Sequence, residues 1–332
     1  MIDVDARPRC ATGSVLILSG AFVFASANAA VTASFRRGFV TIVTAYLIRC
    51  VAVYAANIAL VALRDGGAAA LRIALLRIER PDSARKSLAR ALSGSLMGVF
   101  LNWSFVLLTF ADSFTIFKGV DTIATVVFAR LSLGTAERLT ARELLCGAST
   151  FLGILMIAQP PMLFGALATP RDVRPVTANG LALAVVAGAL SAGNSVLTRV
   201  LTRAGGPHEV APAMLLSHLL VVGFCLFAAL SLAGEASGVA EAAGWEWLRF
   251  RPPSDATDAA LLATYSAGVL AAQLLMAEGY QTTRAGIGAF LALTELGFVF
   301  ALDALVLREP TSWLAAAGTA VVFAGATGVA TG

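Results

Sequence analysis

The sequence predicts an all-α integral membrane protein with ten transmembrane helices, arranged as two inverted repeats of five. Three observations lead to this fold class. The 332 residues are 58% apolar and only 13% charged, whereas soluble domains carry about 25% charged residues. The apolar residues fall into runs that are long enough to cross a bilayer, which takes about 20 residues. A sequence pattern near the end of the first half returns near the end of the second.

Charged breaks divide the apolar runs into ten candidate spans. They cover residues 12–34, 40–63, 89–109, 112–131, 141–159, 178–200, 210–232, 259–281, 286–307 and 312–331.

Lysine and arginine residues set the predicted orientation, because cytoplasmic loops carry an excess of them. The N-terminus and the even-numbered loops hold 15 of the 24, the odd-numbered loops hold seven, and Arg49 and Lys118 lie inside spans. We therefore expect both termini in the cytoplasm, in a plasma membrane or an endomembrane. The net charge of +4 is attributed to topology and to the lipid bilayer, so no nucleic-acid partner is expected. The densest basic stretch, 64–90, is interpreted as a topology anchor, with a lipid-regulatory site as the alternative.

Segments 131–153 and 305–325 look like two copies of one unit. Each ends a span with Leu-x-Leu, passes an acidic turn (Glu137 or Glu309) and restarts at a threonine. Five spans per half turn the second copy upside down, which is the inverted repeat that many secondary transporters share. The predicted division is a first five-helix repeat at 1–165 and a second at 166–332, forming one membrane domain.

Three charged residues inside spans are the main site candidates. Asp121 and Glu295 are 174 positions apart, as are the two Leu-x-Leu elements, and each lies about ten residues, roughly 15 Å, into its span. A carboxylate at that depth is costly and usually faces a bundle interior or a watery cavity. Lys118, one turn before Asp121, could hold an anionic group. The alternative is structural: Asp121 pairs with Lys118, and Glu295 pairs with an arginine of another helix.

Other polar residues within the spans are weaker candidates. They are Asn194, Gln273, Glu278, and Asn102 with Trp103, and interhelical hydrogen bonds could explain them without a ligand. Arg49 is interpreted either as a cavity residue or as an interface anchor.

Several chemistries have no matching pattern in the sequence. It contains no phosphate-binding GxxxxGK[ST] loop, no GxSxG or HExxH motif, and no pair of histidines at metal-ligand spacing. We expect no enzyme activity, no cofactor and no metal. An aspartyl pair made of Asp121 and Glu295 is the enzymatic alternative, and it would need the two carboxyls a few ångströms apart.

The last span carries a stripe of small residues at four-residue spacing. Such stripes let two helix backbones approach closely, so we predict packing inside the bundle, with a homodimer through span 10 as the second hypothesis. The stripe consists of Ala316, Ala320, Ala324 and Gly328.

Residues 111–165 resemble the end of an EamA-type repeat of the drug/metabolite transporter superfamily, especially the group related to solute carrier family 35 member G. The matching elements are the Ala-Asp that opens span 4, the acidic turn before span 5 and the Pro-Pro-x-Leu-Phe-Gly at 160–165. The second half is similar to the other EamA repeat through Gln273, Ala277, Tyr280, Glu295, Glu309 and Trp313. This sequence departs from the pattern in its longer first turn and at Lys118 and Asp121.

The resemblance implies ten helices in two inverted halves and transport of a small organic metabolite. The leading hypothesis is an alternating-access carrier, proton-coupled or exchanging, whose substrate includes an anionic group. The Phe-Lys element at 117–118 is also similar to one in nucleotide-sugar transporters, which makes nucleotide-sugar antiport the second hypothesis. A non-transporting membrane scaffold is the third.

Overall fold

The computed structural model is all-helical over the residues that it describes. These are 6–38, 40–108, 110–134, 140–159, 161–164, 177–203, 206, 208–237, 248–305 and 312–330. The acidic turns at Glu137 and Glu309, Pro160 and Gly165 lie outside these ranges.

A helix covers each of the ten predicted spans, and short helices add to them. The helices are α1 (Ala6–Arg36), α2 (Ile42–Asp65), α3 (Gly67–Ala74), α4 (Pro81–Leu107), α5 (Phe110–Leu133), α6 (Ala141–Ala158), α7 (Pro161–Phe164), α8 (Ala178–Thr202), α9 (Pro212–Ala236), α10 (Ala256–Thr282), α11 (Ala285–Ala292), α12 (Thr294–Leu305) and α13 (Trp313–Ala330). The largest boundary error is at α4, which begins eight residues before the predicted span. Pro81 starts it, since proline at the first helical position lacks only an N–H that would stay unbonded there.

Six helices of the described residues are long and apolar enough to cross a bilayer, and Trp313–Gly328 is a shorter apolar helix. The six segments are Thr12–Phe35, Ile42–Asp65, Ala178–Thr202, Pro212–Ala236, Ala256–Thr282 and Ala285–Leu302. The count of ten spans and the division at residue 165 stay predictions.

The ninth predicted span is broken in its middle. The hydroxyl of Thr294 donates to Leu291 O at 2.6 Å and so competes for a carbonyl within the helix. The Leu293 N–H bonds Phe290 O and the Leu296 N–H bonds Leu293 O, both at 3.2 Å, which is the tighter three-residue pattern. The chain therefore restarts as α12, with Glu295 in its first turn.

Glycines bring helices of the two predicted halves into close contact. A Cβ on Gly279 of α10 would lie 2.9 Å from the Gly13 carbonyl oxygen of α1, and one on Gly318 of α13 would lie 2.6 Å from Gly153 O of α6. Close backbone approach of this kind is a main source of helix association in membranes.

The predicted packing of the small stripe on α13 inside the bundle is wrong for its three alanines. Ala316, Ala320 and Ala324 are exposed, while Gly318 and Gly325 face α6. Gly318 and Gly325 let α13 approach α6 more closely than alanine would. The three alanines therefore lie on the side of α13 that faces away from α6. A homodimer through this surface stays a prediction.

Ion pairs tie elements together at both ends of the bundle. We call the end where α2 finishes and α4 begins the basic end. There, Arg284 pairs with Glu143, which also forms a capping box with Thr140 at the start of α6. At the opposite end, Arg37 after α1 pairs with Asp255 and with Asp258, the latter through Nε at 2.9 Å.

Candidate functional site

The structure brings Lys118, Asp121 and Glu295 together, with Asn28 of α1 beside them. We call these four residues the midplane cluster. Lys118 Nζ lies 3.3 Å from Glu295 Oε2, and the two side chains are only 10% and 12% exposed. Asn28 Nδ2 donates to Glu295 Oε1 at 3.4 Å. Asp121 and Glu295 lie at the middle of α5 and of the broken α11–α12 segment.

Lys118 forms an ion pair with Glu295, which is 177 residues away, and Asp121, one turn along its own helix, also interacts with its charge. The structural pairing of Asp121 with Lys118 therefore stays open. Glu295 in turn is paired with a lysine and not with an arginine. The pair therefore joins one predicted half to the other.

Asp121 is the incompletely bonded member of the cluster. Its neighbours include Lys118, Ser191 and Thr125, but Asp121 Oδ1 is buried without a hydrogen-bond partner. A buried acceptor without a partner costs about 1–3 kcal/mol, and more when it is charged. The site thus has a vacant acceptor beside a net formal charge of −1 from one lysine and two acids.

The break between α11 and α12 places a helix N-terminus at the cluster. The interruption is one residue wide, because Leu293 keeps helical torsion angles (φ −62°, ψ −23°) between the two helices. Discontinuous helices at the bilayer midplane are where secondary transporters bind substrates and coupling ions.

Arg49 forms a separate cluster between α2 and α10. Its guanidinium lies 4.0 Å from the Tyr46 ring centroid and donates to Tyr265 Oη at 3.1 Å, while its Nε is buried without a partner. It lies about 10 Å from the helix end. These contacts account for a buried guanidinium, and the choice between a cavity residue and an interface anchor stays open.

The amides chosen from the sequence do not join the Lys118–Glu295 pair through any hydrogen bond described here. Asn194 lies one turn from Ser191, and its Oδ1 is buried without a partner. Gln273 is half-buried on α10, two turns before Tyr280. Asn102 donates to Gly98 O within its own helix at 2.7 Å, which supports its structural interpretation.

Sequence reasoning missed two polar neighbours of the charged residues and grouped one buried arginine with a loop. Asn28 and Ser191 are small polar residues inside apolar runs, and only that interruption could have singled them out. Arg90, which was grouped with the basic loop, is 4% exposed and bonds Thr198 Oγ1 at 2.6 Å and Leu215 O at 3.0 Å. The predicted span 89–109 already contained Arg90, but its partners on α8 and α9 are distant in sequence and could not be read from it.

Two openings lie near the basic end, and neither is lined by the midplane cluster. A cavity of about 510 Å³ is bounded by α1, α2, α9 and α10, and a groove of about 590 Å³ runs between α2 and α10. Both have the size of ordinary small-molecule sites.

Comparisons with known proteins agree with the helical architecture. None of the curated proteins matches the chain. One solved structure, described only as a crystal structure of a protein, aligns with a TM-score of 0.71 at 14% identity, covering 96% of this chain and 97% of the other. At that identity the likeness shows the fold alone.

A family match covers the second half of the chain. Residues 178–331 match the EamA-like transporter family, which supports the predicted drug/metabolite transporter superfamily and agrees with a protein that is not an enzyme. The resemblance to the solute carrier family 35 member G group stays a prediction. Together with the apolar helices, the match identifies the chain as an integral, multi-pass membrane protein with an EamA-like second half.

Proposed function

We propose that this protein is a secondary transporter that moves a small organic solute by alternating access, with proton coupling or exchange at the midplane cluster. The observation that carries the proposal is the buried Lys118–Glu295 pair at a helix break, next to Asp121 with its vacant acceptor. A scaffold gains little from keeping three charged groups in hydrocarbon.

The charge balance of the cluster favours a proton or a cationic group as the species that is bound and released during the transport cycle. Asp121 Oδ1 lacks a donor, and a proton supplies one. An anionic substrate would bind Lys118 only by displacing Glu295 from its 3.3 Å contact. Substrate binding and release of the Glu295 carboxylate are then coupled events, which is one way to link a solute to a proton.

The two ends of the bundle support an alternating-access cycle. Ion pairs of Arg37 join α1 to α10 at the opposite end, while the 510 Å³ cavity lies at the basic end. With the basic end in the cytoplasm, as the sequence predicts, this cavity opens toward the cytoplasm without reaching the midplane cluster. Opening the opposite end would require the Arg37 pairs to break.

Purified protein in proteoliposomes with a trapped pH dye tests the proposal. The solute panel contains organic amines, amino acids, carboxylates, nucleotide sugars and nucleoside monophosphates. We expect one class to drive proton movement and to show counterflow. Proton movement should be lost in Asp121→Asn and Glu295→Gln, while the exposed control Glu79→Gln behaves as wild type.

Each remaining outcome decides between the hypotheses. Counterflow only with a trapped nucleoside monophosphate would identify nucleotide-sugar antiport instead. Wild-type proton movement in both midplane variants would refute the site. No counterflow and no proton movement with any class, from protein that unfolds cooperatively, would favour the scaffold.

A further inference from the structure

We propose that the groove between α2 and α10 is a lateral entrance from the bilayer for an amphipathic primary amine, with Glu278 as the residue that binds the ammonium head. This inference rests on the proposed transport function and names its substrate class and its route of access.

The groove faces outward from the bundle, and most of the exposed residues that line it have small side chains. Its exposed residues include Ala52 and Ala56 of α2 and Ala263, Ala267 and Ala271 of α10. In a membrane-spanning bundle such a surface contacts lipid chains. From Ala263 to Glu278 it extends for about 22 Å along α10, which is long enough to hold an alkyl chain lying parallel to the helices.

The groove and the cavity at the basic end meet at three shared residues, Leu60, Leu274 and Glu278. Glu278 is exposed and is the one charged residue that lines the groove. It lies about 6 Å from the end of α10, near the level where lipid headgroups meet the hydrocarbon. A molecule with its tail in the groove therefore places its head at Glu278, on the threshold of the cavity.

One buried amide adjoins the cavity. Asn57 is fully buried, and its Nδ2 donates to Ala213 O at 2.8 Å and to Ser217 Oγ at 2.9 Å. Asn57 Oδ1 has no hydrogen-bond partner but is closed off from the cavity, so the exposed Glu278 carboxylate carries the preference. A carboxylate suits a group that carries several N–H donors.

Among the described residues, the cavity lining has one basic side chain, and it does not reverse this preference. Arg64 lines the cavity together with Asp65, and its Nε lies 3.9 Å from Asp65 Oδ1. The two charges offset each other, so Glu278 sets the net charge of the lining. An ammonium group is therefore favoured over a carboxylate or a phosphate.

Binding of tritiated dodecylamine to the protein in phosphatidylcholine nanodiscs, corrected with empty nanodiscs, tests the inference. We expect saturable binding that weakens at least tenfold in Glu278→Gln, since a charge-assisted hydrogen bond is lost. Glu235→Gln, an exposed acid near the end of α9, is the matched control and should bind as wild type. Dodecanoate should not compete.

Filling the groove separates the lateral route from an aqueous one. Ala271→Phe should weaken dodecylamine binding, because the phenyl ring occupies the space of the alkyl chain. The concentration of butylamine that displaces the remaining bound dodecylamine should not change, because its short chain does not occupy the groove. Equal binding to Glu278→Gln, or competition by dodecanoate, would overturn the inference. A change of oligomeric state in Ala271→Phe with amine binding intact would assign the groove to a second copy of the chain instead.

The result is separable from the test of transport. Loss of the amine site with proton-coupled flux of another solute would overturn this inference and leave the proposed function standing. Saturable, Glu278-dependent amine binding without counterflow or proton movement would support the amine site and refute the proposed transport function.

Discussion

Removing one member of the Lys118–Glu295 pair should cost far more stability than removing both. At 3.3 Å and an effective dielectric constant of about 20, the attraction is about 5 kcal/mol. Desolvation of the two groups offsets much of this, so the net value of the pair is small. A single substitution, however, leaves a buried charge without its partner, which typically costs about 3–5 kcal/mol.

The experiment is a double-mutant cycle of Lys118→Met and Glu295→Gln, read by thermal unfolding in detergent. We expect each single variant to lose on the order of 5 °C or more in Tm, and the double variant to lose much less than the sum. The coupling energy should be at least about 2 kcal/mol. Gln retains an acceptor for Asn28 Nδ2, which limits the change to the charge.

The exposed pair Arg72–Glu79 is the matched control. Its atoms are 3.5 Å apart, but the side chains are 68% and 72% exposed, so Arg72→Met and Glu79→Gln should change Tm little. Additive losses across the Lys118–Glu295 cycle would refute the reasoning, because they would mean that the two buried charges do not depend on each other.

Two further substitutions probe the helix packing, and a third probes Arg49. Arg90→Met should destabilise the protein by about 3 kcal/mol, since it removes two charge-assisted hydrogen bonds to α8 and α9, whereas the exposed Arg85→Met should not. Equal melting temperatures would contradict the burial of Arg90. Gly318→Ala should cost about 1–3 kcal/mol by overpacking, because its Cβ would lie 2.6 Å from a backbone oxygen of α6. Gly193→Ala, whose Cβ has 3.5 Å of clearance, is its control, and similar losses in both would refute the close crossing of α6 and α13. Tyr265→Phe removes the hydroxyl that accepts from Arg49 at 3.1 Å and should lower Tm by a few degrees; an unchanged Tm would show that this contact contributes nothing to stability.

The helical segments could be predicted because the bilayer imposes length and hydropathy on each span. The one large boundary error, at α4, came from charged residues that the structure includes in the helix. Asp82, Arg85 and Lys86 lie in its first two turns and lower the mean hydropathy there. Hydropathy averages cannot show that a charged segment continues a helix beyond its apolar span.

The candidate site was predictable in composition but not in its contacts. Depth in the span singled out Lys118, Asp121 and Glu295, since charges at mid-span are rare, and the repeat offset of 174 residues related the two acids. That Lys118 reaches Glu295 depends on how α5 packs beside α11 and α12, and that Glu295 begins a helix depends on the hydroxyl of Thr294. Asn28 was passed over because a single amide in an apolar run usually signals only a helix–helix hydrogen bond.

The central claim is that the midplane cluster lies on an alternating-access pathway, and thiol labelling tests it without knowledge of the substrate. Leu296→Cys, next to Glu295, is placed in a protein whose four native cysteines are replaced by alanine. Membrane-impermeant maleimide is then applied separately to each side of sealed, oriented vesicles. We expect labelling from both sides, slower from the side where Arg37 pairs with Asp255 and Asp258, and faster there in Arg37→Met. If neither side gives labelling, in protein that unfolds at the wild-type temperature, the pathway is contradicted and the cluster is a structural ion pair.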